Sequence, residues 1–514
     1  MDLHIDLVGR HGLADQIYCA LRGAILDGRL RAGELLPPTR ELARRLQVSR
    51  NTVGVAYDRL MGEGFLVTRV GAGTYVCDHF GAPASPRRVT RQELMPHPRW
   101  NVPYPRWYAV GRPGAGGALY DFRVGLPDVT LFPFETWRRL VAHELRLSAV
   151  RTAAYGDPAG HAGLRAAIAR HVAVSRAVKA DADAVTVTAG AQQAIDLIAR
   201  VLLGPGDCAA VEEPGYPPAR LLMESLGARV CSVPVDSQGI VVGAIPRDAR
   251  LIYVSPSHQF PLGMPMSLAR RMELLTWASE HDAAIIEDDY DSEFRFGGRP
   301  IETLYGLDTR GRVLYVGTFS KTMLPAIRLG FLIAPTSLQP ALRVAKYASD
   351  WFSPLATQAA LARFIDEGLL ARHIRKMRAE YERRHERVLQ VLTDQGGWLQ
   401  PIESGAGMHL TALLADGEQL SHADVLERTD GSGVVANPLA AFYADRPALS
   451  GLVLGYGAIQ LTKIDDGLRL LRTVLSAPAR PAARLATTAE PDPSGPPLAA
   501  ARSSGARRPS APPD

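Results

Sequence analysis

Lysine is scarce in this chain. Of 58 basic side chains only five are lysines: Lys179, Lys321, Lys346, Lys376 and Lys463. Arginine fills nearly every cationic role, so a lysine at the end of a buried strand calls for a property that arginine lacks. That property is loss of a proton followed by imine formation with a carbonyl. Cysteine is scarce too. Cys19, Cys77, Cys208 and Cys231 form no CxxC pair, which argues against a zinc or disulfide framework and fits reduced cytosolic thiols. No run approaches 18 consecutive apolar residues, so no transmembrane helix is expected. The acidic start, Met1 to Asp6, lacks a signal-peptide pattern, and the expected location is the cytoplasm. A net charge of +5 and a pI near 9.0 permit nucleic-acid binding without demonstrating it. At 514 residues two or three domains are expected.

The lysine that matters is Lys321. Val313-Leu314-Tyr315-Val316 reads as a buried strand. Gly317-Thr318-Phe319-Ser320-Lys321 follows as a turn, then Arg328 and the apolar run Leu329 to Ala334. An imine-forming lysine wants a carbonyl cofactor, and pyridoxal 5'-phosphate also needs a partner for its pyridine nitrogen and a phosphate cradle. Upstream, the strand Ala283 to Ile286 ends in Glu287-Asp288-Asp289-Tyr290, with Asp288 lying 33 residues before Lys321. A carboxylate beside the ring nitrogen favours its protonated form. Tyr290 could donate to the phenolic oxygen of the ring, and Thr318, Ser320 and Arg328 could hold the phosphate. A solitary Ser-x-Lys reads more simply as a surface lysine, but the Asp-x-Tyr and Arg328 together favour the cofactor. The stretch resembles the fold-type-I pyridoxal-phosphate enzymes of the aspartate aminotransferase group.

The N-terminal region reads as a separate module. Leu13, Ile17, Leu21 and Ala24, with Ala20 alongside, repeat at helical spacing up to Gly28. Leu30 to Pro38 reads as a loop, and Thr39 as the cap of a short second helix through Leu46. Ser49 caps a third helix whose apolar face is Val53, Ala56, Tyr57, Leu60 and Met61. Phe65 to Arg69 and Thr74 to Val76 read as a hairpin around Gly71-Ala72-Gly73. Three helices and a glycine-tipped hairpin predict a winged helix-turn-helix. The wording of Leu36-Pro37-Pro38-Thr39-Arg40-Glu41-Leu42-Ala43, Val48-Ser49-Arg50-Asn51-Thr52-Val53 and Gly71-Ala72-Gly73-Thr74-Tyr75-Val76 resembles the GntR family of bacterial transcription regulators. Ser49, Arg50, Asn51 and Thr52 at a helix N-terminus suit phosphates, and Arg50 or Asn51 can reach base edges. Arg40 is expected on backbone phosphate, and Arg69 with Gly71 and Gly73 in a minor groove. Residues 1–78 hold ten arginines against nine acidic residues, so charge adds little to the DNA-binding expectation.

Domain boundaries follow from composition. The reader is expected over 11–78 and a basic Pro/Gly/Arg linker over 79–118. A large domain is expected over 119–476 and a disordered Pro/Ala/Ser/Arg tail over 477–514. In the large domain, strands at 185–188, 208–211, 229–235, 250–254, 283–286 and 313–316 alternate with helices such as 192–203 and 268–280. That alternation predicts an α/β fold with a mostly parallel sheet, its ligand site at the carboxyl ends of the strands.

The resemblance extends further. Thr188-Ala189-Gly190-Ala191-Gln192 matches the phosphate loop of fold-type-I proteins, which implies Gly190, Ala191 and Gln192 as cofactor contacts. Glu213-Pro214-Gly215-Tyr216-Pro217 matches the segment that stacks an aromatic on the pyridine ring, which implies Tyr216. Tyr155 in Tyr155-Gly156-Asp157-Pro158 matches a tyrosine sent to the phosphate of a partner subunit, which implies a homodimer. Two features depart from the aminotransferase pattern. Ser255-Pro256-Ser257-His258-Gln259-Phe260-Pro261 lacks the asparagine expected beside the ring oxygen. Val453 stands where the arginine for a substrate α-carboxylate is expected, with Arg220 as a possible substitute. A GntR-type reader joined to an aminotransferase-like domain is the arrangement of the MocR/GabR regulators. The resemblance covers about residues 11 to 475. It implies a regulator of double-stranded DNA operators that senses an amino-group metabolite, or the cofactor itself, through a Lys321 Schiff base. The alternatives are an aminotransferase with an accessory DNA-binding domain, and a binding protein whose lysine site is vestigial. No metal is implied.

Overall fold

The structure, a computed structural model, describes residues 5–9, 11–69, 71–78, 118–146, 155–297, 302–415, 420–445 and 447–477. The expected linker and tail lie almost wholly outside these residues. By internal packing the chain divides into two units, Met1–Pro96 and His97–Asp514.

The first unit contains α1 (Leu13–Leu26), α2 (Thr39–Arg45), α3 (Arg50–Gly62), β1 (Leu66–Arg69) and β2 (Gly73–Val76). Its core joins Ile17, Leu21 and Ala24 of α1, Leu42 of α2, Val53, Ala56, Tyr57 and Leu60 of α3, and Val76 of the hairpin. Leu13 and Met61, at the helix ends, are only half-buried. Two expectations are corrected. Thr39 does not cap α2: it is the first helical residue, Pro38 is the cap, and no side chain caps this helix. The extended backbone of Pro38 suits the cap position, and its carbonyl accepts from the Leu42 amide at 3.0 Å. The segment before α2 is more than a loop. Leu35 bridges Tyr75, the Leu36 amide donates to the Thr74 carbonyl at 2.8 Å, and the Val76 amide donates to Glu34 at 2.9 Å. One edge of the hairpin is thereby covered.

The second unit contains β3 (Tyr120–Phe122), β4 (Val185–Thr188), β5 (Cys208–Glu213), β6 (Arg229–Asp236), β7 (Gly239–Ile240), β8 (Ala249–Val254), β9 (Ala284–Asp289), β10 (Val313–Thr318), β11 (Gly330–Ile333), β12 (Leu399–Pro401), β13 (His409–Leu414), β14 (Val434–Pro438) and β15 (Gly451–Gly455). Eight strands form one sheet in the order β4-β11-β10-β9-β8-β5-β6-β7. The run from β10 through β9, β8 and β5 to β6 is parallel, and β11 is antiparallel to both β10 and β4. The alternating pattern anticipates this sheet. It does not anticipate a second sheet, β12-β13-β15-β14-β3, because β3 comes from the start of the unit and pairs with β14 more than 300 residues later. Pairing that remote leaves no trace in local periodicity.

One strand runs longer than expected. β9 continues through Asp289 rather than stopping at Ile286, so its three acidic residues alternate between faces. Glu287 lies 3.7 Å from Arg271 and Asp289 lies 2.6 Å from Arg176. Asp288 points the other way, to the Tyr253 hydroxyl.

Candidate functional site

At the carboxyl ends of β9 and β10 the second unit encloses a cavity of about 290 Å³. Ala191, Gln192, Tyr216, Asp288, Tyr290, Thr318, Ser320, Lys321 and Arg328, residues singled out from the sequence, all line it. Four chain segments far apart in sequence deliver them: the turn after β4, the turn after β5, the end of β9 and the turn after β10.

Lys321 Nζ donates to the Gly125 carbonyl at 2.9 Å. Burial pulls its pKa below the ordinary lysine value, while Asp291 and Asp288 favour its charged form. Lys346, the fully buried lysine among the described residues, is paired with Asp350 and does not line the cavity. Asp288 receives the Tyr253 hydroxyl on Oδ2 at 2.6 Å, whereas its Oδ1 is buried with no hydrogen-bond partner. Burial pushes this carboxyl up to about 7; the Tyr253 hydrogen bond opposes the rise and Asp289 adds to it. An orphaned buried carboxylate oxygen is costly, and it is the acceptor that a protonated pyridine nitrogen would satisfy.

The phosphate end has a matching shape. Gly190 adopts φ 87°, and a Cβ built there would come within 3.0 Å of the Arg328 guanidinium. Arg328 itself takes φ 52° and donates to the Ala189 carbonyl at 2.6 Å. The helix Ala191–Leu202 starts at this point, so its free N–H groups and the guanidinium converge on one pocket. Thr318 Oγ1 and Ser320 Oγ lie 3.1 Å apart at the same turn. Tyr216 forms an aromatic group with Tyr253 and Phe260, at centroid distances of 6.4 and 5.8 Å. These residues fit pyridoxal phosphate at its nitrogen, its phosphate and its ring face.

Other placements were not legible beforehand. The Tyr290 hydroxyl lies 3.0 Å from His258 Nδ1, which also faces Asp291 at 3.0 Å, and His258 Nε2 meets Ser404 at 3.1 Å. Tyr253 and Gly125 gave no sequence signal, one being an apolar-strand residue and the other a turn glycine. Tyr155 does not line the cavity; it is 76% exposed and stacks on Trp351 at 4.2 Å. Arg220 does not substitute at the site. Its guanidinium meets Glu213, Glu224 and Ser232 and lines a neighbouring cavity instead. Val453 is fully buried in β15.

In the first unit, the Ser49 hydroxyl accepts from the Thr52 amide at 3.0 Å and caps α3, as expected. Arg40, Ser49, Arg50 and Asn51 are exposed, and Thr52 is half-buried. Arg50 Nε donates to Thr39 Oγ1 at 3.4 Å, tying α3 to the start of α2. Arg69 lies 4.9 Å above the Tyr75 ring and 3.4 Å from Asp78. Gly71 and Gly73 form the exposed tip, with φ 77° and 115°.

Comparison with known proteins agrees with both halves. Residues 13–76 match the gntR family of bacterial regulatory proteins, and residues 125–448 match the class I and II aminotransferases. The chain is 37% identical over 478 residues to the probable rhizopine catabolism regulatory protein MocR of Rhizobium meliloti, covering 90% of this chain and 93% of that one. It is 32% identical over 447 residues to the pyridoxine biosynthesis transcriptional regulator PdxR of Corynebacterium glutamicum, covering 86% and 91%. Among solved structures it is similar to a kynurenine aminotransferase of Pyrococcus horikoshii, with TM-score 0.64, 29% identity, and 70% and 91% coverage. Fold and site thus define a fold-type-I aminotransferase domain preceded by a GntR-type reader. The chain belongs to the MocR/GabR-type transcription regulators. Among the described residues no helix is long and apolar enough to cross a membrane.

Proposed function

We propose that this regulator binds pyridoxal 5'-phosphate at Lys321 and uses it to sense an amino-group ligand or the cofactor itself. The observation that carries the reading is the buried, unpartnered Oδ1 of Asp288 in the same cavity as Lys321. When bound, the group supplies an electrophilic carbonyl to which amines add reversibly. The chain's own residues set the conditions. Asp288 holds a proton at the pyridine nitrogen. Tyr216 covers the ring, and Tyr290 donates to the phenolic oxygen. Gly190, Ala191, Gln192, Thr318, Ser320 and Arg328 hold the phosphate. Burial lowers the pKa of Lys321 and so raises its nucleophilic, neutral fraction. The reader then places Arg40, Ser49, Arg50, Asn51 and Thr52 on an operator, with Arg69, Gly71 and Gly73 at the wing. The ligand shifts DNA affinity to the extent that it binds two conformations unequally. The protein acts in the cytoplasm as a homodimer.

The test is chemical trapping. Full-length protein is incubated with pyridoxal phosphate, reduced with borohydride and mapped by peptide mass. Lys321 should carry the label and Lys321→Ala should carry none. Label on another lysine, or none on the wild type, would overturn the reading.

A further inference from the structure

The cofactor reading leaves one wall of the cavity for a second ligand. That wall is formed by Val124, Leu126, Phe260, Met408, His409 and Phe442. Behind it Val453 is fully buried, clustered with Leu262, Leu439, Phe442 and Tyr443. Lys321 and Arg328 are the only lysine and arginine among the described residues of the lining. The reading above assigns both to the cofactor. Arg220 is engaged by Glu213, Glu224 and Ser232 outside this cavity. A carboxylate pressed onto this wall would lose its hydration and find no free guanidinium among the described residues of this chain in exchange. An unpaired buried charge of that kind is strongly disfavoured.

The one ionisable group on the wall has the wrong polarity for an anion. His409 Nε2 lies 3.2 Å from the Pro261 carbonyl oxygen. A carbonyl only accepts, so Nε2 carries the hydrogen. Burial, followed by His258, pulls the ring's pKa well below the ordinary histidine value, which keeps it neutral. Nδ1 is then a lone-pair acceptor, and it has no hydrogen-bond partner among the described residues. An acceptor in an apolar wall selects a donor, such as a hydroxyl, and repels a carboxylate.

We propose that the ligand of this site is a primary amine that lacks a carboxylate and carries a hydroxyl donor, an amino alcohol rather than an amino acid. The proposal rests on the cofactor reading of Lys321. Serinol and serine make a matched pair, differing by a hydroxymethyl group in place of the carboxylate; ethanolamine and glycine make a second. Full-length wild-type protein carrying pyridoxal phosphate is titrated with each, following the visible absorbance of the bound cofactor. The amino alcohol of each pair should half-saturate the change at a concentration at least about tenfold lower than its amino acid, a preference of about 1.4 kcal/mol. Equal potency, or preference for the amino acid, would overturn the proposal. So would cofactor-loaded protein that responds to neither pair, an outcome that leaves the Lys321 reading standing. Failure to acquire any cofactor absorbance would remove the underlying reading instead, and is visible before an amine is added.

Discussion

At the scale of single residues, Asp288 shows how burial and function pull in opposite directions. Its carboxyl is pushed from an ordinary 3.8 to about 7, first by burial. Below the unfolded value both states hold the proton. Between about 4 and about 7 the unfolded chain releases a proton that the folded chain retains, so folding stability falls as pH rises. Above about 7 the effect is complete. The cofactor-free Asp288→Asn variant should therefore gain on the wild type by roughly 3 kcal/mol between about pH 5 and about pH 8. Urea melts of both cofactor-free proteins at the two pH values measure this. Parallel curves would show that Asp288 does not titrate in that window. The same variant should bind pyridoxal phosphate more weakly, since a neutral amide replaces the charge opposite the pyridine nitrogen. Lys321, Asp288 and Tyr290 could be read from the sequence because each pairs an unusual residue type with a strand end. Tyr253, which occupies one oxygen of Asp288, could not. It sits in an apolar strand, and only the sheet order β9-β8 brings it alongside.

At the scale of elements, the reader was legible in outline and misread in detail. Helical periodicity and the Ser49 cap located α3, but nothing local told that the segment before α2 pairs with β2. That pairing makes Gly73 critical. With φ 115°, a Cβ added there would come 2.7 Å from Leu35 Cδ1. Gly73→Ala should strain the wing by roughly 1–3 kcal/mol. Amide hydrogen exchange at Leu36 and Val76, whose N–H groups make this pairing, should accelerate in proportion. Unchanged protection would show that the wing absorbs the methyl. Arg50→Ala tests the recognition helix. If Arg50 reads a base, operator affinity should fall by about 1–3 kcal/mol at fixed salt. Cofactor absorbance should stay as in the wild type, because Arg50 belongs to a unit other than the one holding the cavity. Unaltered affinity would take Arg50 out of the interface. The edge strand β3 of the second sheet escaped the sequence reading for the reason that the wing strand did: it is only three residues long and its partner, β14, is distant in the chain.

At the scale of the whole molecule, the homodimer expectation turns on Tyr155. Its ring is exposed and stacked on Trp351, and Tyr347, 53% exposed, packs edge-on against Trp351 at 4.7 Å. Aromatic surface left open on one chain suits contact with a second. A tyrosine outside its own cavity serves a cofactor only where a second chain brings its phosphate alongside, and that is the arrangement to be tested. Tyr155→Phe should therefore weaken pyridoxal phosphate binding by roughly 1.5–3 kcal/mol, the worth of a hydrogen bond to a charged group. Mixing then decides whose site it serves. Tyr155→Phe chains are combined with Lys321→Ala chains, unfolded and refolded together to exchange subunits. If sites are shared, each heterodimer places both lesions in one site and leaves the other complete. Half of the heterodimer's sites should then bind cofactor with wild-type affinity, although neither parent does. If each chain builds its own site, every site carries one lesion and no wild-type class appears in the titration. Two-fold symmetry would also carry two readers to DNA, so the operator of a shared-site dimer should contain paired half-sites. Protection of a single half-site by the full-length protein would count against that arrangement.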